Sequence, residues 1–221
     1  LERRIVRTSD GSRTIQIPQW QEQYHSMHGA LQESRHVFIR HGLSLYADRK
    51  LRVLEMGFGT GLNALISLLE APKLGLVLEY TALEAYPVTQ QEWQALDYGG
   101  LFEDDAARDH FQKLHQADWE KPSAVTPWFT LCKVQADLLG FSEEDAYDLV
   151  YFDAFGARVQ PELWTEAVFG SMFRALGGGG RLVTYAAKGS VRRAMQACGF
   201  TVERLPGPPG KREMLRAVKP V

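Results

Sequence analysis

Residues 51–63, LRVLEMGFGTGLN, constrain this chain more than any other stretch. Leu51, Val53 and Leu54 form an apolar, partly β-branched run, the pattern of a strand covered on both faces. Gly57, Gly59 and Gly61 follow at alternate positions. A turn built on them takes backbone angles closed to other residues and lets the chain approach a ligand closely. A helix is expected from about Leu62 to Glu70, with unpaired N–H groups at its start. Strand, glycine turn and helix in this order open an α/β nucleotide-binding unit, although the glycine spacing alone also suits other α/β proteins.

The acidic residues narrow the ligand. Glu55, at the strand end, would repel a pyrophosphate but suits a cationic amino group or a hydroxyl. Leu76–Leu83 reads as the second strand and ends at Glu84, 23 residues beyond Gly61. That is the distance at which an acidic residue accepts both ribose hydroxyls in a nucleotide-binding βαβ unit. A nucleoside carrying an amino-acid tail, S-adenosylmethionine, fits the Glu55 carboxylate better than NAD does. Phe129–Val134 is a further strand, and Asp137 beyond it is placed to receive an adenine amine or to be a plain loop residue. Asp148–Phe152 is a buried strand that delivers Asp153 to the crevice where α/β sheets bind ligands.

At 221 residues and 45% hydrophobic, the chain is expected to form one α/β domain with an N-terminal elaboration. The division expected is a hairpin and cofactor-covering extension over 1–44 and a main domain over 45–221, with an insertion near 101–128. No apolar run is long enough to span a bilayer and no signal-like start is present, so the expectation is a soluble, cytoplasmic protein with no membrane partner. Cys132 and Cys198 read as small core residues, and the six histidines show no metal-ligand spacing, so no metal is expected. Net charge is −2, yet from Ser171 onward ten basic residues face two acidic ones, a local +8. A phosphate-backbone partner needs such polarity. Solvated basic side chains on outer helices give the same pattern.

The flanking segments are less constrained. Residues 1–19 alternate around Asp10-Gly11 and predict a short hairpin. A short helix is expected around Ala30–Val37, and Tyr24-His25-Ser26 is the patch placed nearest the cofactor. A helix is expected to start at Pro87. Residues 101–128 read as a solvated helix face and an irregular loop that could form a wall of a substrate pocket. Pro161 is expected to start a helix that Gly177–Gly180 end. A strand over Arg181–Tyr185 and a helix to Cys198 follow, and Phe200–Arg204 with Met214–Val218 form a closing hairpin.

In this order the residues resemble the tRNA 5-methylaminomethyl-2-thiouridine methyltransferases, known as MnmD or as the N-terminal half of the bifunctional MnmC. The matching pieces are Tyr24-His25-Ser26, Glu33 with His36-Val37-Phe38, Glu55 with GFGTGLN, Glu84 with Pro87, and Asp153 with Phe155. Further on they are Pro161 through Trp164, Gly178 through Thr184, Gly189 with Val191-Arg192-Arg193, Gly199-Phe200, and the closing GKREM at Gly210–Met214. Two places depart from the pattern familiar in the bifunctional proteins: Val159-Gln160 replaces a lysine–asparagine pair, and Ala85 replaces a lysine.

The resemblance implies a Rossmann-like methyltransferase sheet with an antiparallel last strand and an N-terminal β-hairpin extension. It implies methyl transfer from S-adenosylmethionine to the primary amine of 5-aminomethyl-2-thiouridine at the tRNA wobble position. The cofactor site it implies comprises Tyr24, Ser26, Glu33, Glu55, Gly57, Phe58, Gly59, Thr60, Gly61, Asn63, Glu84, Asp137 and Asp153. Glu55 is assigned the methionine end, Glu84 the ribose and Asp137 the adenine. Asp153 is expected to hold the amine, with Phe155 and Tyr185 as walls of the transfer channel. Lys188, Arg192, Arg193, Lys211 and Arg212 are the expected phosphate contacts to the tRNA anticodon loop. A monomer is favoured, and the sequence ends without an oxidase half, so a separate enzyme is expected to supply the aminomethyl-uridine. The alternatives are a same-fold enzyme acting on another RNA base or a small-molecule amine, and a non-catalytic tRNA-binding module.

Overall fold

A computed structural model describes residues 2–221 and carries two sheets. The smaller has three antiparallel strands, β1 (Arg4–Arg7), β2 (Arg13–Ile17) and β3 (Glu22–Gln23). The expected turn at Asp10-Gly11 joins the first two, and the Asp10 carboxylate accepts from the Thr8 and Ser12 hydroxyls and the Gln32 amide. α1 (Ala30–Ser34) follows and runs on as one π-helical segment over Arg35–Arg40, further than the sequence suggests.

The main sheet has eight strands. In spatial order they are β10 (Thr201–Pro206), β11 (Glu213–Val218), β9 (Leu176–Thr184), β8 (Tyr147–Phe152), β4 (Lys50–Met56), β5 (Val77–Leu83), β7 (Phe129–Val134) and β6 (Pro122–Thr126). The five from β9 to β7 are mutually parallel, and the last strand, β11, lies antiparallel between β9 and β10. The pleat of β4 serves two cores. Leu51 and Val53 pack toward α2 (Leu62–Glu70), whereas Leu54 and Met56 pack with α5 (Glu166–Ala175) and α6 (Gly189–Ala197). The connection from β4 runs to β5 on one side, while β8 flanks its other side. The strand order therefore reverses beside β4, and its C-terminal end opens a crevice there. No helix among the described residues is long and apolar enough to cross a membrane.

Four local expectations are corrected. The helix after β5 starts three residues beyond Pro87, as α3 (Gln90–Leu96), because Thr89 and Glu92 form a reciprocal cap. Residues 101–128 contain α4 (Ala107–Gln116) and the edge strand β6, which pairs antiparallel with β7. They buttress the fold and do not line the main cleft. Gly177–Gly180 do not end a helix. They lie inside β9 as an outward bulge, for the register to β8 jumps from Leu176 to Arg181. Finally, Pro161–Trp164 is a single 3-10 turn that precedes α5.

Candidate active site

The C-terminal ends of β4, β5, β7 and β8 open into one cleft of about 1060 Å³. Its walls carry Gly57–Thr60, Glu84, Asp137, Asp153 and Phe155 from the loops that follow the strands, Asn63 from α2, and Tyr24, Ser26 and Glu33 from the N-terminal extension. Tyr185 and Lys211 close the far side. The structure thus gathers residues more than 180 positions apart in sequence around one space.

The glycine turn is held by its neighbours. Gly59 has a φ of +52°, and a Cβ there would lie 3.3 Å from the Tyr24 ring. Its N–H donates to Glu84 Oε2 at 2.8 Å, while Glu84 Oε1 accepts from Tyr86 N at 2.8 Å. The Glu84 carboxylate is therefore held by backbone N–H groups on both of its oxygens. Thr60 is clamped from two sides: its hydroxyl bonds His25 Nε2 at 2.7 Å and its carbonyl accepts from His115 Nε2 at 3.1 Å. Burial holds His25 down to about 4 and His115 down to about 3, so both rings are neutral at physiological pH. His115 also stacks on Trp93 with centroids 4.9 Å apart. Nothing in its sequence context marks His115 as a support of the turn.

Behind the turn lies a buried chain of carboxyl, amide and carboxyl. Asn63 Nδ2 donates to Glu55 Oε1 at 3.0 Å and to Asp153 Oδ2 at 2.8 Å. Two carboxyls claim the amide N–H groups, which leaves Asn63 Oδ1 as a buried acceptor without a partner among the described residues. Glu55 differs from expectation, for it is fully buried and is not part of the cleft wall. Two residues beyond Val53 on β4, its side chain falls on the α2 face, and Asn63 stands between it and the cleft. Burial pushes the Glu55 carboxyl well above the ordinary carboxylate range.

Asp153 sits half-buried at the cleft floor. Desolvation, and then the Glu33 carboxylate, push its carboxyl up to about 8, against the pull of the Asn63 hydrogen bond and of Lys211. Phe155 packs edge-on to Tyr24 at 4.9 Å and to Trp20 at 5.4 Å between centroids. Tyr185 donates from its hydroxyl to the Ala154 carbonyl at 2.8 Å. Asp137 is exposed and caps a short turn by accepting from Leu139 N at 2.9 Å.

The five basic residues singled out in the sequence divide. Lys188, Arg193 and Arg212 are exposed and Arg192 is half-buried, and among the described residues none of the four has an ion-pair partner. Lys211 instead turns inward, with Nζ 2.6 Å from Glu33 Oε1 and 3.9 Å from the Tyr185 ring centroid. Two more cleft residues carry no sequence signal of their own. Arg3 donates to the Tyr86 carbonyl and to Glu92, and Trp20 is held through its carbonyl by Arg158.

Comparison with known proteins agrees with this geometry. Residues 111–220 match a family described as S-adenosyl-L-methionine-dependent methyltransferase. The bifunctional tRNA 5-methylaminomethyl-2-thiouridine biosynthesis protein MnmC of Paracidovorax citrulli is 32% identical over 214 residues, covering 90% of this chain and 33% of that protein. The same-named protein of Cupriavidus metallidurans is 32% identical over 228 residues, covering 95% and 33%. The chain thus spans about a third of the length of these curated relatives. MnmC2 from Aquifex aeolicus superimposes over 100% of this chain and 72% of its own with a TM-score of 0.79, at 24% identity, a match of fold. The order of the sheet, the glycine turn with its acidic landmarks and these similarities place the chain among the S-adenosyl-L-methionine-dependent methyltransferases, as a member of the MnmC-related family its sequence resembles.

Proposed function

We propose that the protein transfers a methyl group from S-adenosylmethionine to the primary amine of 5-aminomethyl-2-thiouridine at the wobble position of tRNA. The relatives' printed role in 5-methylaminomethyl-2-thiouridine biosynthesis supports this substrate. The observation that carries the reading is the Asp153 carboxyl at the cleft floor, tied by Asn63 and raised to about 8.

The cleft's donor set fits a nucleoside with an amino-acid tail. Glu84 offers carboxylate lone pairs for ribose hydroxyls, and the unpartnered Asn63 Oδ1 offers an acceptor for an ammonium group. Asp137, which lines the cleft, suits the adenine amine. When bound, the cofactor supplies an already activated sulfonium methyl, so the protein's task is alignment and exclusion of water. The amine must be neutral to attack. A free aspartate lies roughly six units below an aliphatic ammonium, a poor match for taking its proton. At about 8 the Asp153 carboxyl narrows that gap to roughly two units, so the fraction of Asp153 that is ionised near neutral pH is matched to accept the amine's proton as well as to anchor it. Phe155, Tyr24 and Tyr185 wall the path with apolar surface.

For the nucleic acid, the unpaired Lys188, Arg192, Arg193 and Arg212 suit phosphates, which position a strand without reading its bases. A single-stranded anticodon loop presents its base at less cost than a duplex does. One observation favours a second reading, a same-fold enzyme acting on a different amine. Val159 and Gln160, which replace the lysine–asparagine pair, line the cleft itself. Incubating tRNA that bears 5-aminomethyl-2-thiouridine, and tRNA that lacks it, with labelled cofactor separates the two. Label recovered as 5-methylaminomethyl-2-thiouridine only in the first supports the proposal; label in free small amines without tRNA refutes it.

A further inference from the structure

Glu33 and Lys211 lie 178 residues apart in sequence, one on α1 and one in the loop between β10 and β11, yet they pair on the cleft wall. Glu33 is only 6% exposed, and both its oxygens are used: Oε2 accepts from Ser26 N at 2.7 Å and Oε1 from Lys211 Nζ at 2.6 Å. Lys211 also covers the Tyr185 ring, whose hydroxyl holds the carbonyl next to Asp153. A desolvated ion pair contributes little to stability over an apolar pair of the same shape. Tying the extension to the last hairpin therefore does not by itself account for two charges facing the reaction space.

We propose that Glu33 and Lys211 act as one electrostatic unit that sets the charge of the Asp153 carboxyl, and so are positioning residues for the amine. This rests on the reading of Asp153 as the amine-holding group. The groups facing Asp153 come from six elements: Asn63 on α2, with Glu55 on β4 and Tyr80 on β5 behind it, Tyr185 after β9, Glu33 on α1, and Lys211 on the hairpin loop. Lys211 is the cation of that set. Glu33 pushes the Asp153 carboxyl up and Lys211 pulls it down more weakly, so the paired lysine offsets part of the glutamate's push. Neutralising Glu33 leaves the lysine uncompensated beside Asp153, and an opposite charge at close range lowers a carboxyl by about one unit or more.

The test is a titration of the Asp153 carboxyl carbon by NMR in the full chain without cofactor, with its resonance assigned by its loss in Asp153→Asn. In Glu33→Gln, whose amide oxygen still accepts from Ser26 N, the midpoint should fall by about one unit. In the double variant Glu33→Gln with Lys211→Met it should return toward the wild-type value. If Glu33→Gln does not fold, Lys211→Met alone should shift the midpoint upward. A midpoint that stays in place in the single variants, or a fall that persists in the double variant, overturns the proposal. Because no turnover is needed, failure here is distinguishable from failure of the methyltransferase reading, in which the wild-type protein would leave aminomethyl-bearing tRNA unmethylated.

Discussion

Replacing Asp153 by asparagine should stabilise the protein, and the gain should grow with pH. The carboxyl titrates near 3.8 in an unfolded chain and at about 8 in the fold. Between those values the native state keeps a proton that the unfolded chain has released, so this group's contribution to stability falls as pH rises. From pH 5 to pH 8 the linkage amounts to about 3.5 kcal/mol at 1.36 kcal/mol per unit. Water in the open cleft screens part of that, which sets the lower end near 2 kcal/mol. Any cost of burying the new amide is the same at both pH values and cancels in the difference. Relief of Glu55 from its charged neighbour acts in the same direction. Urea unfolding of wild type and Asp153→Asn at pH 5 and pH 8 measures it. The variant should gain about 2–3.5 kcal/mol relative to wild type over that interval. A gain under about 0.5 kcal/mol would mean the carboxyl is not raised and would remove the basis for proton transfer to Asp153.

Two further outcomes are expected. Gly61→Ala places a Cβ 2.9 Å from His115 Nε2 on a residue with φ +75°, so it should cost about 1–3 kcal/mol and lose the melting-temperature increase that S-adenosylmethionine gives the wild type. Arg192→Glu with Arg193→Glu should raise KM for tRNA at least about tenfold and flatten its salt dependence, with cofactor Kd unchanged in calorimetry.

The centre of the fold was legible because its signals are local. The apolar run of β4, the alternate glycines and the start of α2 occupy consecutive residues, and β7 has the bounds its sequence suggests. β6 carries no clear strand signal because it is a five-residue edge strand that opens on Pro122 and mixes Ser123 and Thr126 with only two apolar side chains, Ala124 and Val125. Gly177–Gly180 look like a helix stop, and only the pairing of β9 with β8 and β11 reveals a bulge. Glu55 was recognisable as an acidic residue at a strand end. Its distance from the cleft depended on the docking of α2, which puts Asn63 in front of it. The Glu33–Lys211 pair and the His115 support of the glycine turn join distant segments, so no spacing in the sequence carries them.

Single-turnover methylation of aminomethyl-bearing tRNA by wild type and Asp153→Asn, with cofactor affinity measured in parallel, tests the role of the cleft-floor carboxyl most directly. Cofactor Kd should stay within a few-fold while the methylation rate falls by about 10²-fold or more. Rates that agree within a few-fold at equal cofactor occupancy would contradict an amine held at Asp153.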